Sequence, residues 1–438
     1  MKQSPIKHKR YSQLRDTRLA IKGGTPVLAK VLPSYPSIGE AEEAAVLRVI
    51  RSGQLSGFYG SLGPQFLGGT EVRAFEQEWA ARFQVPHAVS VNSATSGLFT
   101  AIGAVGIGPG DEVIVPPTTM SATVVAPLVY GAIPVFADIE DQTFGLDPAR
   151  VRECITMRTR AIIATNLFGH PARLTELKQI ADEHGLFLIE DNAQGPLATE
   201  DGRYAGTIGH IGVFSLNYHK HIHTGEGGMC VTYDKRIAER LQLIRNHGEN
   251  LTDAMATEDL ASLYGFNYRM TELSAAVGRA QLAAADTHVE MREKIARRLT
   301  EAVCNLEGLQ APRVREGCRH VYYVWTLCYD EEVMGVSREV FSRALAAEGF
   351  PHFTGYVRPL YRLPLFQKRI AMGRNGFPFS QSMVRYEGEL CPVAERLWRR
   401  KFLCFETCAY DLDDECLDKL TEAVIKLHRH RHELTGGE

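Results

Sequence analysis

The chain lacks the sequence features of secreted and membrane-spanning proteins. Its nine cysteines include no Cys-x-x-Cys pair, and such a scattered, odd set is typical of reduced thiols in the cytoplasm. The longest apolar stretch, residues 122–137, contains two prolines and is too short to cross a bilayer as a helix. Residues 1–18 are basic and polar, without the apolar core of a secretory signal. We therefore expect a cytoplasmic protein that makes no membrane contact.

A strong charge of either sign and nucleotide-binding glycine motifs are also missing. The formal net charge of −3 gives no general attraction to nucleic acid, so we expect no nucleic-acid partner. No P-loop pattern occurs, and the glycines of residues 106–110 lack the GxGxxG spacing and precede a strand instead of a helix. An unrelated nucleotide-binding enzyme is therefore disfavoured. With 438 residues, of which 45% are apolar and 23% charged, the chain is large enough for two globular domains.

A lysine followed by glycines is the most informative feature of the chain. Lys220 lies in residues 214–228, which end in Gly225-Glu226-Gly227-Gly228. A lone amine forms a Schiff base with an aldehyde cofactor only where the backbone leaves room, and pyridoxal phosphate (PLP) is the obvious candidate aldehyde. Its ring nitrogen needs a facing carboxylate. Asp191 follows the apolar run 186–189 and suits that role, although each feature alone is also typical of a solvated loop or a helix cap.

Three alternating histidines in the same segment invite a metal-site interpretation. If the segment were a strand, His219, His221 and His223 would share one face. Because the segment contains the proposed Schiff-base lysine and ends in glycines, we predict no metal. We expect these side chains to line the substrate entrance or to bond to the backbone.

Alternating strand and helix patterns predict an α/β fold with a parallel sheet and crossover helices. The predicted strands are residues 88–91, 112–115, 134–136, 161–164, 186–189, 212–214 and 228–231. After a predicted helix over 271–298 the pattern changes to a strand at 321–325 and amphipathic helices at 337–348 and 414–428. We predict a flexible N-terminal arm (1–22), a large domain (23–289) and a smaller α+β C-terminal domain (290–438).

The order of these motifs resembles the DegT/StrS family of sugar aminotransferases, from about Gly23 through the C-terminal helices. The resemblance implies the PLP-dependent transferase fold type I, an α/β fold with a mostly parallel central sheet flanked by helices. It also implies PLP bound covalently to Lys220, with Lys220 and Asp191 as catalytic residues.

Further cofactor contacts are expected around the ring and the phosphate. The turn of residues 92–97 joins a strand to a helix, where free amides favour an anion, and it matches the family's phosphate-binding turn. By resemblance Ala94, Thr95 and Ser215 contact the phosphate, Met120 covers the ring, and Gln194 lies near the phenolic oxygen. The turn is also compatible with a simple helix cap, and Met120 with a core position.

The segment Asn267-Tyr268-Arg269 resembles a family signature whose asparagine reaches the phosphate of the neighbouring subunit. If this carries over, Asn267 acts in a homodimer whose active sites are shared between subunits. Arg269 is then a substrate or shared-site residue, with a salt bridge at a helix start as the competing interpretation. Tyr361 lies in a segment, 356–361, that resembles family stretches near the sugar pocket.

These features predict a PLP-dependent aminotransferase of amino-sugar biosynthesis. The resemblance implies amino transfer from glutamate or glutamine to a nucleotide-linked keto sugar or a cyclitol. A PLP-dependent sugar dehydratase of the same fold is an alternative, but such relatives carry His where this chain has Lys220. A PLP-binding regulatory protein is the second alternative, and it would bind the cofactor without consuming glutamate.

Overall fold

The computed structural model describes residues 18–434. Residues 1–17 of the predicted N-terminal arm, and residues 435–438, lie outside the described residues. The helices in the described part are α1 Glu40–Ser52, α2 Thr70–Phe83, α3 Ala94–Ala104, α4 Ala122–Val129, α5 Pro148–Cys154, α6 Leu174–His184, α7 Lys235–Arg245, α8 Glu272–Ala283, α9 Ala285–Val303, α10 Glu331–Met334, α11 Arg338–Ala347, α12 Pro364–Gln367, α13 Pro392–Arg396 and α14 Asp414–Arg429.

The strands form one large central sheet and two smaller sheets. They are β1 His87–Val91, β2 Glu112–Val115, β3 Ile133–Phe136, β4 Thr159–Thr165, β5 Phe187–Asp191, β6 Thr199–Glu200, β7 Arg203–Tyr204, β8 Ile211–Ser215, β9 Gly228–Thr232, β10 Leu309–Gln310, β11 Cys318–Arg319, β12 Val324–Tyr329, β13 Phe353–Thr354 and β14 Phe402–Glu406. The central sheet has the order β1-β9-β8-β5-β4-β2-β3. Only β9 runs antiparallel to its neighbours, so the predicted mostly parallel sheet flanked by helices is confirmed.

The central strands are apolar because helices cover both faces of the sheet. Their side chains are buried almost without interruption, as is typical of parallel sheets. Each predicted strand of this sheet forms within two residues of its predicted bounds. The carboxyl ends of β5 and β8 lie side by side in register, which brings the ends of two functional segments to the same edge.

Two predicted elements differ from the structure. The predicted helix over 271–298 is divided at Ala284 into α8 and α9. The predicted strand over 321–325 begins only at Val324, because the Val321 amide donates to the Gly169 carbonyl and Tyr322 has a φ of +50°. This turn redirects the chain just before the strand, and it sets the position of Tyr323.

The C-terminal part has a core of its own around a four-stranded antiparallel sheet, β10-β12-β14-β13. The helix α9 serves two cores: Val289 packs with the central-sheet residues, whereas Ile295 and Leu299 pack with the C-terminal core. We therefore propose a domain division within α9 near residue 290. The large domain was predicted to start at residue 23. In the structure, however, Leu28 and Leu32 pack in the core of the C-terminal part.

The segment after β13 returns from the C-terminal part to the central sheet. Phe366 and Tyr386 pack on Phe136 of β3 at ring-centre distances of 5.2 and 5.9 Å, and the Tyr386 hydroxyl donates to the Pro134 carbonyl at 2.8 Å. This return segment covers the edge strand of the sheet. Among residues 18–434, no helix combines the length and the apolar character that a transmembrane span requires.

Candidate active site

Lys220 lies in the loop between β8 and β9, at the carboxyl edge of the central sheet. The loop is closed by backbone bonds, among them Leu216 N to the Gly227 carbonyl and Lys220 N to the Asn217 carbonyl, both 2.9 Å. Gly228, which begins β9, has no room for a side chain: an added Cβ would lie 2.6 Å from the carbonyl carbon of Ser93. The glycine therefore allows the lysine loop to lie directly against the turn between β1 and α3.

The Lys220 amine is partly buried and lies 4.0 Å from the centre of the Tyr323 ring. Burial lowers the pKa of Lys220 to about 8, although the charges of Asp191, Cys408 and Glu406 act in the opposite direction. About a tenth of the amine is therefore neutral at pH 7, far more than at an exposed lysine, and the neutral form is the one that acts as nucleophile and proton acceptor.

Asp191 is the last residue of β5 and is buried. Its carboxylate accepts hydrogen bonds from the Thr123 hydroxyl at 2.6 Å and from the Ala193 amide at 3.2 Å. Burial raises the pKa of Asp191, while these two bonds and the charge of Lys220 lower it. A cationic ring nitrogen next to this carboxylate would compensate its burial, so Asp191 fits the PLP pyridinium.

The turn between β1 and α3 has the geometry of an anion site. The Ser93 hydroxyl caps α3 by accepting from Ser96 N at 3.0 Å, and the Ser96 hydroxyl donates to the Asn92 side chain at 2.5 Å. Ala94 and Thr95 are the first two residues of the helix, where backbone amides have no helical acceptor. The helix cap is therefore present, and it leaves the Ala94 and Thr95 amides free, so phosphate binding at this turn stays a prediction.

Ser215, at the end of β8, pairs with Gly228 and thus lies near the same turn. Its hydroxyl accepts a hydrogen bond from Asn217 N at 3.3 Å. Gln194 bridges two segments: its amide donates to the Tyr356 hydroxyl at 2.8 Å, and its carbonyl accepts from Phe168 N at 2.7 Å. Both ends of the Gln194 side chain are therefore fixed.

Three other predicted residues lie in different surroundings. Met120 is 62% exposed, which excludes the core position considered for it. Asn267 is exposed, and its side-chain oxygen accepts from Arg269 Nε at 2.8 Å. The segment of Asn267 and Arg269 lies against the turn between β1 and α3 of the same chain, since the Asn92 amide donates to the Tyr268 carbonyl at 2.8 Å.

Tyr361 is placed where a substrate has no access to it. The side chain is 0% exposed, and its hydroxyl donates to Glu395 at 2.6 Å within the aromatic packing against β3. We therefore leave Tyr361 out of the proposed substrate site. The sequence patterns did not reveal Thr123 or Tyr323, which contact Asp191 and Lys220, because neither residue belongs to a recognisable motif.

The histidines near Lys220 do not lie on a strand. His221 and His223 are buried, with His221 Nε2 bonded to the Val321 carbonyl at 2.8 Å, whereas His219 is exposed. Across residues 18–434, no group of three or more His, Cys, Asp or Glu side chains has the arrangement of a metal site.

Comparison with known proteins gives a consistent result. The sequence model of the DegT/DnrJ/EryC1/StrS aminotransferase family matches residues 36–394. The L-glutamine:2-deoxy-scyllo-inosose aminotransferase of Streptomyces kanamyceticus is 34% identical over 431 residues, which cover 95% of this chain and 98% of that protein. The dTDP-3-amino-3,4,6-trideoxy-alpha-D-glucose transaminase of Streptomyces venezuelae is 33% identical over 371 residues, 84% of this chain and 91% of that protein.

The fold also matches a solved aminotransferase. The X-ray structure of the aminotransferase from Psychrobacter cryohalolentis superposes with a TM-score of 0.79 at 29% identity, and the match covers 92% of this chain and 100% of that chain.

Proposed function

This chain belongs to the DegT/DnrJ/EryC1/StrS aminotransferase family and is a PLP-dependent aminotransferase, and we propose that it uses Lys220 to transfer an amino group from glutamate or glutamine to a keto sugar or keto cyclitol. The observation that carries the residue assignment is the pairing of a partly neutral Lys220 with a buried Asp191 at one sheet edge. When bound, PLP supplies an aldehyde for the lysine amine and an electron-withdrawing ring.

Lys220 serves as the covalent anchor and as the proton carrier. In the loaded enzyme its amine would carry a proton between the donor's alpha carbon and the C4′ carbon of the cofactor. Its pKa of about 8 supports both directions, since the amine is able to accept and to release a proton near neutral pH.

Asp191 and the phosphate contacts orient the cofactor. The Thr123 hydroxyl and the Ala193 amide fix the Asp191 carboxylate, which would face the ring nitrogen. The amides of Ala94 and Thr95, with the Thr95 and Ser215 hydroxyls, are suited to the phosphate. Gln194 is fixed by Tyr356 and would lie near the phenolic oxygen, and the exposed Met120 would cover the ring from the solvent side.

We extend the proposal to a homodimer with shared active sites. Leu55, Tyr59 and Leu62 are large apolar residues with 48–64% of their surface exposed. This apolar loop is tied to the region of Asn267, because Asn246 donates to the Tyr59 carbonyl at 3.1 Å and pairs with Asn267. An exposed apolar surface beside a predicted trans-acting residue fits a second copy of the chain.

The acceptor is proposed to be a keto cyclitol or a nucleotide-linked keto sugar. The relative named for a cyclitol substrate aligns over 95% of this chain, and the relative named for a dTDP-sugar aligns over 84%. This coverage favours the cyclitol as the first acceptor to test. Arg269 is proposed as a substrate or shared-site residue, since its guanidinium lies next to Asn267 on the exposed surface.

The decisive experiment follows the visible absorbance of bound cofactor when glutamate, and separately glutamine, is added. Loss of the band supports the donor half-reaction, and its return on adding 2-deoxy-scyllo-inosose or a dTDP-keto sugar identifies the acceptor class. Borohydride reduction followed by peptide mass spectrometry is expected to locate the cofactor on Lys220. The Lys220→Ala variant should lose turnover, whereas Lys235→Ala, at an exposed lysine of α7, should keep it. Cofactor trapped on another lysine would contradict the assignment.

A further inference from the structure

An aromatic ring lies against the amine of Lys220. Lys220 Nζ is 4.0 Å from the centre of the Tyr323 ring and lies over its face. The Tyr323 side chain is buried and packs in a core that it shares with the central sheet. The face of an aromatic ring is negative, so it attracts an ammonium group more strongly than a neutral amine, and the attraction grows where water is excluded. The ring therefore favours the protonated form of the lysine.

The backbone before Tyr323 has an uncommon conformation. Tyr322 has a φ of +50°, a value that residues with a side chain rarely adopt because the Cβ crowds the backbone. Its ring stacks on the His320 ring at a centre distance of 3.9 Å, with 16° between the two planes. A bulky residue in the left-handed region persists only where the surrounding contacts fix it, and such residues cluster at functional sites. This turn places the next side chain, that of Tyr323, against the lysine loop.

Hydrogen bonds from three separate segments fix this turn. Val321 N donates to the Gly169 carbonyl at 3.0 Å, and the Val321 carbonyl is bonded to His221 Nε2 at 2.8 Å. The Thr407 hydroxyl donates to the Tyr323 carbonyl at 3.3 Å. The histidine directly follows the proposed Schiff-base lysine, so one of the three bonds comes from the lysine loop itself. The ring and the amine are therefore held in position by the same set of contacts.

Resting on the proposed role of Lys220, we infer that Tyr323 is a positioning residue, whose ring face holds the protonated Lys220 amine whenever the lysine is not bound to the cofactor. It acts through the lysine, and its hydroxyl takes no part. A released lysine has a long, flexible stem, and a proton carrier has to stay close to the atoms that it serves. The ring restricts the ammonium and attracts the amine less strongly once the proton has been given up.

Other titratable groups also act on the Lys220 amine. Burial lowers the pKa of Lys220, whereas Asp191 of β5, Cys408 and Glu406 of β14 act in the opposite direction. His219 precedes the lysine in the loop, and burial and the charge of Lys220 lower the pKa of this histidine to about 4, so it is neutral at pH 7. None of these groups is removed when the aromatic ring is replaced by another apolar side chain. Such a substitution therefore isolates the effect of the ring.

The test measures the protonation of Lys220 in the cofactor-free full chain, as the pH dependence of its acylation by acetic anhydride. The Lys220 peptide is quantified by mass spectrometry, and the exposed Lys235 serves as the internal standard. In Tyr323→Leu, which keeps an apolar side chain but removes the ring, the Lys220 midpoint should fall by about half a pH unit to one unit. Tyr323→Phe keeps the ring face and should keep the midpoint of the unmodified chain. The Lys235 midpoint should be the same in all three proteins.

A graded series of rings separates the attraction of the ring face from its shape. Phenylalanines that carry fluorine atoms, incorporated at position 323, keep nearly the size of the ring, while each added fluorine makes its face less negative. We expect the Lys220 midpoint to fall stepwise along the series that begins with Tyr323→Phe. Because these variants have nearly the same shape as Tyr323→Phe, the series gives a result even if Tyr323→Leu does not fold.

Two outcomes would overturn the proposal. One is a Lys220 midpoint that stays constant along the fluorinated series. The other is an equal midpoint in Tyr323→Phe and Tyr323→Leu, because the ring would then make no difference to the amine. Trapping the cofactor on a different lysine would instead refute the proposed function, and it would leave these measurements on the cofactor-free chain unaffected.

Discussion

The charged side chains around Lys220 are only partly compensated by the protein itself. Burial lowers the pKa of Lys220 and raises that of Asp191, so both shifts favour the neutral forms despite the attraction between the two groups. Such a pair is unfavourable in isolation and becomes favourable with a cationic ring beside the carboxylate. The proposed function accounts for this arrangement, because bound cofactor would offset what the pair costs the stability of the cofactor-free protein.

This cost predicts a pH-dependent effect of Lys220→Met on the cofactor-free protein. The folded-state pKa of about 8 lies below the unfolded value of about 10.4, so burying the ammonium costs stability below pH 8. The cost disappears as the pH rises through this window, because the amine becomes neutral in both states. Lys220→Met should therefore increase the free energy of unfolding more at pH 7 than at pH 10, as measured by urea denaturation.

Lys235→Met is the control for that measurement, since Lys235 is exposed on α7. It should change the free energy of unfolding by about 0.5 kcal/mol or less at either pH. A Lys220→Met effect of equal size at pH 7 and pH 10 would show that the amine is not desolvated.

Lys220 and Asp191 could be proposed from the sequence because each has a local signature, a glycine-rich loop and the end of an apolar strand, and their catalytic role stays a prediction. Their neighbours were not predictable in the same way. Tyr323 reaches Lys220 only because the chain turns at Tyr322, and the Thr407 hydroxyl that bonds to the Tyr323 carbonyl comes from a distant segment. The pattern around Tyr361 suggested a pocket residue, but apolar rings from the return segment enclose it.

At the scale of secondary-structure elements, Gly228 determines how closely the lysine loop approaches the turn between β1 and α3, the proposed phosphate site. An added Cβ would lie 2.6 Å from the Ser93 carbonyl carbon and 2.8 Å from the Ala94 nitrogen, and backbone atoms cannot move aside easily. Gly228→Ala should therefore lower the free energy of unfolding by about 1–3 kcal/mol. It should also weaken PLP binding by about tenfold or more, as measured by fluorescence titration.

The matched variant is Gly39→Ala, since a Cβ at Gly39 has only the Glu42 carboxylate within 4 Å, at 3.8 Å. It should leave PLP affinity unchanged. Equal affinities of Gly228→Ala and the unmodified chain would mean that the turn does not hold the phosphate.

A second prediction concerns the ion pair that joins α14 to the end of α11. Lys426 Nζ lies 3.0 Å from Glu348, both side chains are almost fully buried, and Glu348 also accepts from the amides of Ala20 and Val27. Lys426→Met would leave a buried carboxylate without its cation. We expect a loss of about 3–5 kcal/mol in the free energy of unfolding, measured by chemical denaturation.

Lys419→Met on the same helix gives the comparison. Lys419 pairs with Glu415 on the surface, and such pairs contribute about 0.5 kcal/mol or less. A similar small loss for Lys426→Met would show that the Glu348 carboxylate is adequately stabilised by its amide donors alone.

Strand positions in the central sheet were predictable because buried parallel strands appear as short apolar runs. Breaks in elements were harder to predict. The division at Ala284 involves no proline or glycine, and the late start of β12 depends on a hydrogen bond from Val321 to the distant Gly169. Both depend on tertiary packing, which a local pattern does not contain.

At the scale of the whole molecule, a shared active site predicts complementation between two defective variants. Lys220→Ala and Asn267→Ala should each reduce turnover strongly as homodimers. In a mixed dimer, one site would combine an intact Lys220 with an intact Asn267 from the other copy. Co-expression should therefore restore about a quarter of the unmodified turnover, given random pairing.

The result depends on whether Asn267 contacts the phosphate of its own chain or that of the partner subunit. If Asn267 served the phosphate of its own chain, the mixed dimer would contain no intact site, and co-expression would restore nothing. Size-exclusion chromatography with light scattering of the mixture verifies that dimers have formed.

The return segment after β13 has a mechanical consequence. The core of the central sheet and the core of the C-terminal part are connected through α9. They are connected a second time where Tyr386 and Phe366 pack against the edge strand of the central sheet. Two separate connections resist a hinge motion of the two parts, because rotation about one connection strains the other. In the proposed reaction the acceptor would therefore reach Lys220 without a hinge opening, and the fixed width of the entrance would select between a compact cyclitol and a bulky nucleotide sugar.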